Sequence, residues 1–142
     1  MAEPHTIQVN IVSAEGEIFS GPATIVFLPA SEGEIGVTPR HAPLLSMLKA
    51  GEVRVKTPDG GEQYFFVGGG ALEIQPQQVT VLADTAARAH DLDEAAAVAA
   101  RQRAEEALAG NLTKLEQAEV QAELARATAQ LRMLERLRKI RS

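Results

Sequence analysis

The chain is 142 residues long, 45% hydrophobic and 23% charged, the composition of a folded chain and not of a disordered one. A formal net charge of −5 argues against a polyanion binder, and the lack of cysteine excludes disulfides, a thiol nucleophile and a thiolate metal site. No apolar run approaches the ~18 residues of a membrane span, and the N-terminal residues have neither the basic start nor the apolar stretch of a signal peptide, so neither membrane insertion nor secretion is expected.

The first part of the chain reads as strands. Ile7, Val9 and Ile11 alternate with Gln8 and Asn10, the period-2 pattern of a half-buried strand. Thr24 to Leu28 is a short β-branched run bounded by Pro22 and Pro29. The segment from Ser31 to Leu45 reads as a loop, bent by Gly33, Gly36, Pro39 and Pro43, with Glu32, Glu34 and Arg40 exposed; loops on a rigid scaffold are common binding surfaces. Val53 and Val55 alternate with Arg54 and Lys56, and Pro58-Asp59-Gly60-Gly61 then predicts a turn into Tyr64 to Val67. Gly68-Gly69-Gly70 lacks the Gly-Lys-Ser/Thr ending of a phosphate loop and leads into strand-like sequence, so it is expected to be a crowded backbone bend. Gln75-Pro76-Gln77-Gln78 is a second turn, before Val79 to Leu82. Many short strands at this spacing predict an antiparallel sandwich or barrel.

Composition changes near Ala86–His90. Ten of the 11 glycines, all 7 prolines and every aromatic residue precede it; beyond it Gly110 is the only helix breaker. Residues 1–86 are therefore expected to form a β domain and 87–142 a helical one, an α+β organisation. Asp91, with Glu94 three residues on, is expected to cap the first helix, and Gly110 to end it in a left-handed conformation. Thr113 with Glu116 is a second capping box, opening a helix that runs from about 114 to about 140. The short connection predicts an antiparallel hairpin. Its seam is expected along Ala96, Ala99, Ala100, Ala104 and Ala107 on one helix and Leu115, Ala118, Ala122, Ala125 and Ala129 on the other. Alanines bury little area, so such a hairpin would be weakly held and able to rearrange.

No catalytic constellation emerges. His5, His41 and His90 have no metal-ligand spacing, and Ser13, Ser31 and Ser46 lack a nucleophile elbow. Residues 126–142 carry Arg126, Arg132, Arg136, Arg138, Lys139 and Arg141 against Glu135 alone. That density exceeds what the helix dipole asks for, and without interleaved aromatics it points to an acidic protein partner in preference to nucleic acid.

The ordered set Ser31-Glu32-Gly33-Glu34-Ile35-Gly36-Val37, His41-Ala42-Pro43-Leu44-Leu45, Gly68-Gly69-Gly70, Val79 to Ala86, Asp91-Leu92-Asp93-Glu94-Ala95 and Ala122 to Ala127 resembles the epsilon subunit of bacterial F-type ATP synthases, over about Ile7 to Leu137. The resemblance implies a ten-stranded sandwich followed by a helical hairpin, in a non-catalytic central-stalk subunit peripheral to the cytoplasmic face of the inner membrane. It implies as partners the gamma subunit, the membrane rotor ring and, through the helices, the alpha and beta catalytic subunits, whose ATP hydrolysis the extended hairpin inhibits. Glu34 would then face the polar loops of the ring, His41 would lie near gamma, and Arg132, Arg136, Arg138 and Arg141 would meet acidic catalytic-subunit surface. Some members bind ATP between the helices. Here Asp93, Arg103 and Arg126 match that pattern, but Ala96 and Gln130 stand where ATP-binding members carry arginine. Losing two cations removes charge-assisted bonds worth ~1.5–3 kcal/mol each, so weak or absent ATP binding and no resident cofactor are expected. A stand-alone ATP-sensing module is the alternative reading, and a small nucleic-acid-binding protein a more distant one.

Overall fold

A computed structural model describes residues 5–141, except the side chain of Arg141. By internal contacts the chain divides between Arg88 and Ala89 into a β unit and a helical unit.

Among the described residues the β unit contains eight strands: β1 (Ile7–Ser13), β2 (Gly16–Ala23), β3 (Ile25–Ala30), β4 (Gly33–Val37), β5 (Leu44–Lys56), β6 (Glu62–Ile74), β7 (Gln78–Ala83) and β8 (Ala86–Arg88). They follow the order β2-β1-β7-β6-β5-β3-β4, with β8 on β6. All pairings are antiparallel except β1 with β7. The resemblance implies ten strands; here β5 and β6 are unbroken at 13 residues each. Strand β6 pairs β8 through Phe65–Val67 and β7 through Gly70–Ile74, so its two halves serve different parts of the sandwich. Period-2 burial follows directly: Ile7, Val9, Ile11, Val26, Leu28, Val53, Val55, Val79 and Val81 all point into one core.

Where β6 changes partner, Gly69 and Gly70 adopt φ of +99° and +131°. A Cβ on Gly70 would stand 2.1 Å from the Leu82 carbonyl oxygen, so the glycine run is indeed a crowded bend. The prolines expected to bound the second run lie within strands instead. Pro22 is on the outermost strand β2, where a missing N–H is tolerated, and Pro29 falls where the β3–β5 register breaks between Phe27 and Ala30. Likewise Ser31–Leu45 is not one loop: Gly33–Val37 forms β4 on β3, and Leu44 and Leu45 begin β5.

The β unit is closed by Arg88. Its Nη2 donates to the Ile18 carbonyl on β2 at 2.6 Å and its Nη1 to Gln63 Oε1 on β6 at 3.5 Å, while the guanidinium lies 5.6 Å from the Phe65 ring centroid. Phe65 in turn meets Phe19 of β2 at 5.4 Å.

In the helical unit, a 3₁₀ turn (Ala89–Asp91) precedes α1 (Glu94–Leu108) and α2 (Lys114–Arg141). Asp91 lies in that turn and is not the cap. Asp93 is the N-cap, extended at φ −101°, ψ 107°, with its carboxylate accepting the Ala96 N–H at 3.1 Å. Gly110 is not left-handed either: α1 closes on Ala109 in right-handed geometry (φ −76°, ψ −12°), whose own N–H bonds back to Glu106, so no positive φ is required. The Thr113–Glu116 box forms as expected, with reciprocal bonds of 3.1 and 3.2 Å.

The expected seam positions of α1 are covered except Ala96, which is exposed, whereas those of α2 are mostly exposed. Ala97 and Ala104 are the buried residues of α1, and Ala127, Met133 and Leu137 those of α2, with Val120, Leu124, Leu131 and Leu134 half-buried. Leu115, Ala118, Ala122 and Ala125 are exposed. Burying Met133 and Leu137 gains more than burying alanines, and α2, at 28 residues against 15, outruns the helix that could cover its first turns.

Candidate partner interface

Strands β5, β6, β7 and β1 carry one register across the sheet: Met47 pairs Ala71, Ala71 pairs Leu82, and Leu82 pairs Val12. The inward neighbours Leu48, Leu72, Val81 and Ile11 belong to the core, so this row faces outward. Met47 is 63% exposed, Leu82 55%, and Leu45, two residues from Met47 on the same face, 76%. Large apolar groups sharing one exposed sheet face make it a candidate protein interface, since singly scattered exposed leucines are ordinary and need no explanation. These residues were not among the expected partner contacts. Their signal was present in Leu44-Leu45-Ser46-Met47-Leu48, a strand apolar on both faces, which implies cover on both sides.

The expected contact residues fall in several places. Glu34 is an exposed residue of β4, and its Oε1 accepts from Arg54 Nη2 of β5 at 3.3 Å. His41 is half-buried, and its Nδ1 is 2.7 Å from the Ala42 carbonyl, a bond that requires the proton on Nδ1.

Of the nucleotide candidates, the Asp93 carboxylate is engaged as the α1 cap. Arg103, ten residues further along the same helix, is about 15 Å away along the axis and exposed; Arg126 is a half-buried residue of α2. A single phosphate cannot meet both Asp93's helix end and Arg103.

In the basic tail, Arg138 pairs with Glu94 at 2.7 Å, joining the end of α2 to the start of α1 and fixing the helices as antiparallel. Lys139 lies 3.5 Å from Glu135. Arg132 is exposed and Arg136 half-buried. The Arg141 side chain lies outside the described residues.

The two units match two family models in sequence. Residues 6–89 match the ATP synthase delta/epsilon chain beta-sandwich domain, and residues 90–135 the long alpha-helix domain of the same chain. The chain is 60% identical over 134 residues to the ATP synthase epsilon chain of Nitrosococcus oceani, covering 94% of this chain and 96% of that one. It belongs to the family of bacterial ATP synthase epsilon chains.

The epsilon chain of Halorhodospira halophila is 56% identical over 136 residues, with the same coverage. Among solved structures, a chain of the Euglena gracilis mitochondrial ATP synthase (OSCP/F1/c-ring) superposes with a TM-score of 0.77 at 18% identity, over 91% of this chain and 81% of that one. A chain of the Tetrahymena thermophila ATP synthase central stalk and c-ring gives a TM-score of 0.58 at 12% identity, over 94% and 99%. At these identities the superpositions show a shared fold. Among the described residues no helix of this family member is long and apolar enough to cross a membrane.

Proposed function

We propose that the chain is a non-catalytic rotor subunit of the ATP synthase, seated on the gamma subunit through the exposed apolar face of its β unit. Glu34 contacts the polar loops of the membrane ring, and the C-terminal helices restrain ATP hydrolysis by reaching the alpha and beta subunits. On this reading the chain is peripheral to the cytoplasmic face of the inner membrane. The observation that carries it is the row Leu45, Met47 and Leu82, whose exposure calls for a covering protein surface. The ATP-sensing alternative is disfavoured by the engagement of Asp93 in capping and its separation from Arg103.

The test is co-purification with gamma of the full-length chain carrying Leu45→Asp, Met47→Asp and Leu82→Asp. All three side chains are exposed, so folding should be kept. Loss of the anchors at the centre of such a face should weaken gamma binding by about thirtyfold or more. A folded triple variant that still binds gamma as the parent does would refute the assignment of this face.

A further inference from the structure

The outward face of β3, β4 and β5 carries, around Glu34, a set of side chains that the partner reading does not use. Phe27 of β3 is in register with Gly36 of β4 on one side and Arg54 of β5 on the other. Glycine at 36 leaves the ring its place, because a Cβ there would stand 3.1 Å from Phe27 Cε1. The Arg54 guanidinium lies 4.3 Å from the Phe27 ring centroid, within cation–π range. From that seat its Nη2 reaches Glu34 Oε1 at 3.3 Å, and its Nε is 3.5 Å from Glu52 Oε1 on its own strand. The Arg54 side chain is 24% exposed and that of Glu34 56%. A half-exposed carboxylate is thus tethered by one oxygen to a cation that is itself held on three sides.

We propose that Arg54, seated on Phe27, is the positioning residue for Glu34, presenting its carboxylate in one orientation to a hydrogen-bond donor or cationic group on the partner's polar loops. This rests on the reading of Glu34 as a contact to the membrane ring. An unrestrained surface glutamate loses side-chain entropy on docking, whereas one already bridged to a stacked guanidinium has lost most of it beforehand. Lysine would keep the charge at 54 but not the planar stack over Phe27.

The experiment measures binding of the full-length chain to two preparations stripped of it: the catalytic sector with gamma, and the whole complex including the membrane ring. The ratio of the two affinities isolates the ring's contribution, and a purely structural role for Arg54 would weaken both preparations alike. Glu34→Gln should lower the ratio about threefold. Arg54→Ala and Phe27→Leu should lower it similarly, Arg54→Lys should rescue it only in part, and Arg54→Ala added to Glu34→Gln should lower it no further. An unchanged ratio with Glu34→Gln would overturn the ring-contact reading and the positioning role with it. A reduced ratio with Glu34→Gln but not with Arg54→Ala, or additive effects of the two, would overturn the positioning role alone.

Discussion

Gly70 is the residue whose identity the fold constrains most tightly. Its φ of +131° is open to few residues other than glycine, and a Cβ would meet Leu82 O at 2.1 Å and Ala83 Cα at 2.9 Å, both backbone atoms that cannot swing aside. Gly70→Ala should destabilise the β unit by about 2–4 kcal/mol, combining backbone strain and overpacking. Gly16 has a similar φ of +128° but nothing within 4 Å, so Gly16→Ala should cost only about 1 kcal/mol. Urea unfolding of the two variants checks this, and equal losses would show that space at Gly70 is not the deciding factor. At Glu116, the Thr113 backbone N–H, with the Thr113 hydroxyl second, holds the carboxyl below its ordinary value near 4.5. A lowered folded pKa means that the stabilisation is present above the unfolded value and is lost as pH falls through the folded one. The first turn of α2 should therefore loosen as acid takes the pH below that ordinary value, seen as faster exchange of the Thr113 amide relative to mid-helix amides. Glu116→Gln should abolish that pH dependence.

Among the elements, β8 has the largest effect for its size. It is three residues long and pairs only Phe65–Val67, yet its last residue, Arg88, spans 70 positions to reach Ile18 and stacks over Phe65. A charge-assisted bond to a carbonyl with a cation–π contact is worth about 2 kcal/mol together. A fragment of residues 1–88 should fold alone, as the strands and the core all lie within it. One ending at residue 86 should fold less stably by about that amount. Equal urea midpoints for the two fragments would remove the closing role assigned to Arg88.

At the scale of the whole molecule, charge is divided between the units: residues 1–85 hold 4 basic and 10 acidic side chains, while most of the cationic residues are in the helices. The basic tail cannot be treated as one patch, because Arg138 is engaged with Glu94 inside the hairpin. Removing Arg138 would loosen the hairpin as well as any outside contact. The proposed restraint on hydrolysis is therefore tested with Arg132 and Arg141 replaced by alanine and with Arg138 and the half-buried Arg136 kept. Individual exposed pairs contribute only ~0–1 kcal/mol, so the two together should raise hydrolysis by the assembled complex up to about tenfold at low ionic strength. The difference should shrink near ~1 M salt, where charges are screened within a few ångströms. Unchanged hydrolysis at low salt, with the chain confirmed to be bound, would return these arginines to a favourable interaction with the helix dipole.

What could be read from the sequence was encoded over a few neighbouring residues. The alternation at Ile7–Ile11 and Val53–Val55, the turn at Pro58–Gly61, the Thr113–Glu116 box and the crowded glycine bend all follow from local backbone and side-chain chemistry. The division into a β unit and a helical hairpin follows from where glycine, proline and the aromatics stop. The tertiary structure decided what depends on distant partners. It made β4 out of a segment that reads as a loop, because β3 offers an edge to pair with. It chose Asp93 over Asp91 as the cap and placed the buried positions of α2 at Ala127, Met133 and Leu137 instead of the expected alanine row. It also aligned Met47, Ala71 and Leu82 on one open face and brought Arg54 to Glu34 across an intervening strand. No local periodicity carries such information, since strand order and register are fixed by which edges and faces the folded chain can pair and cover.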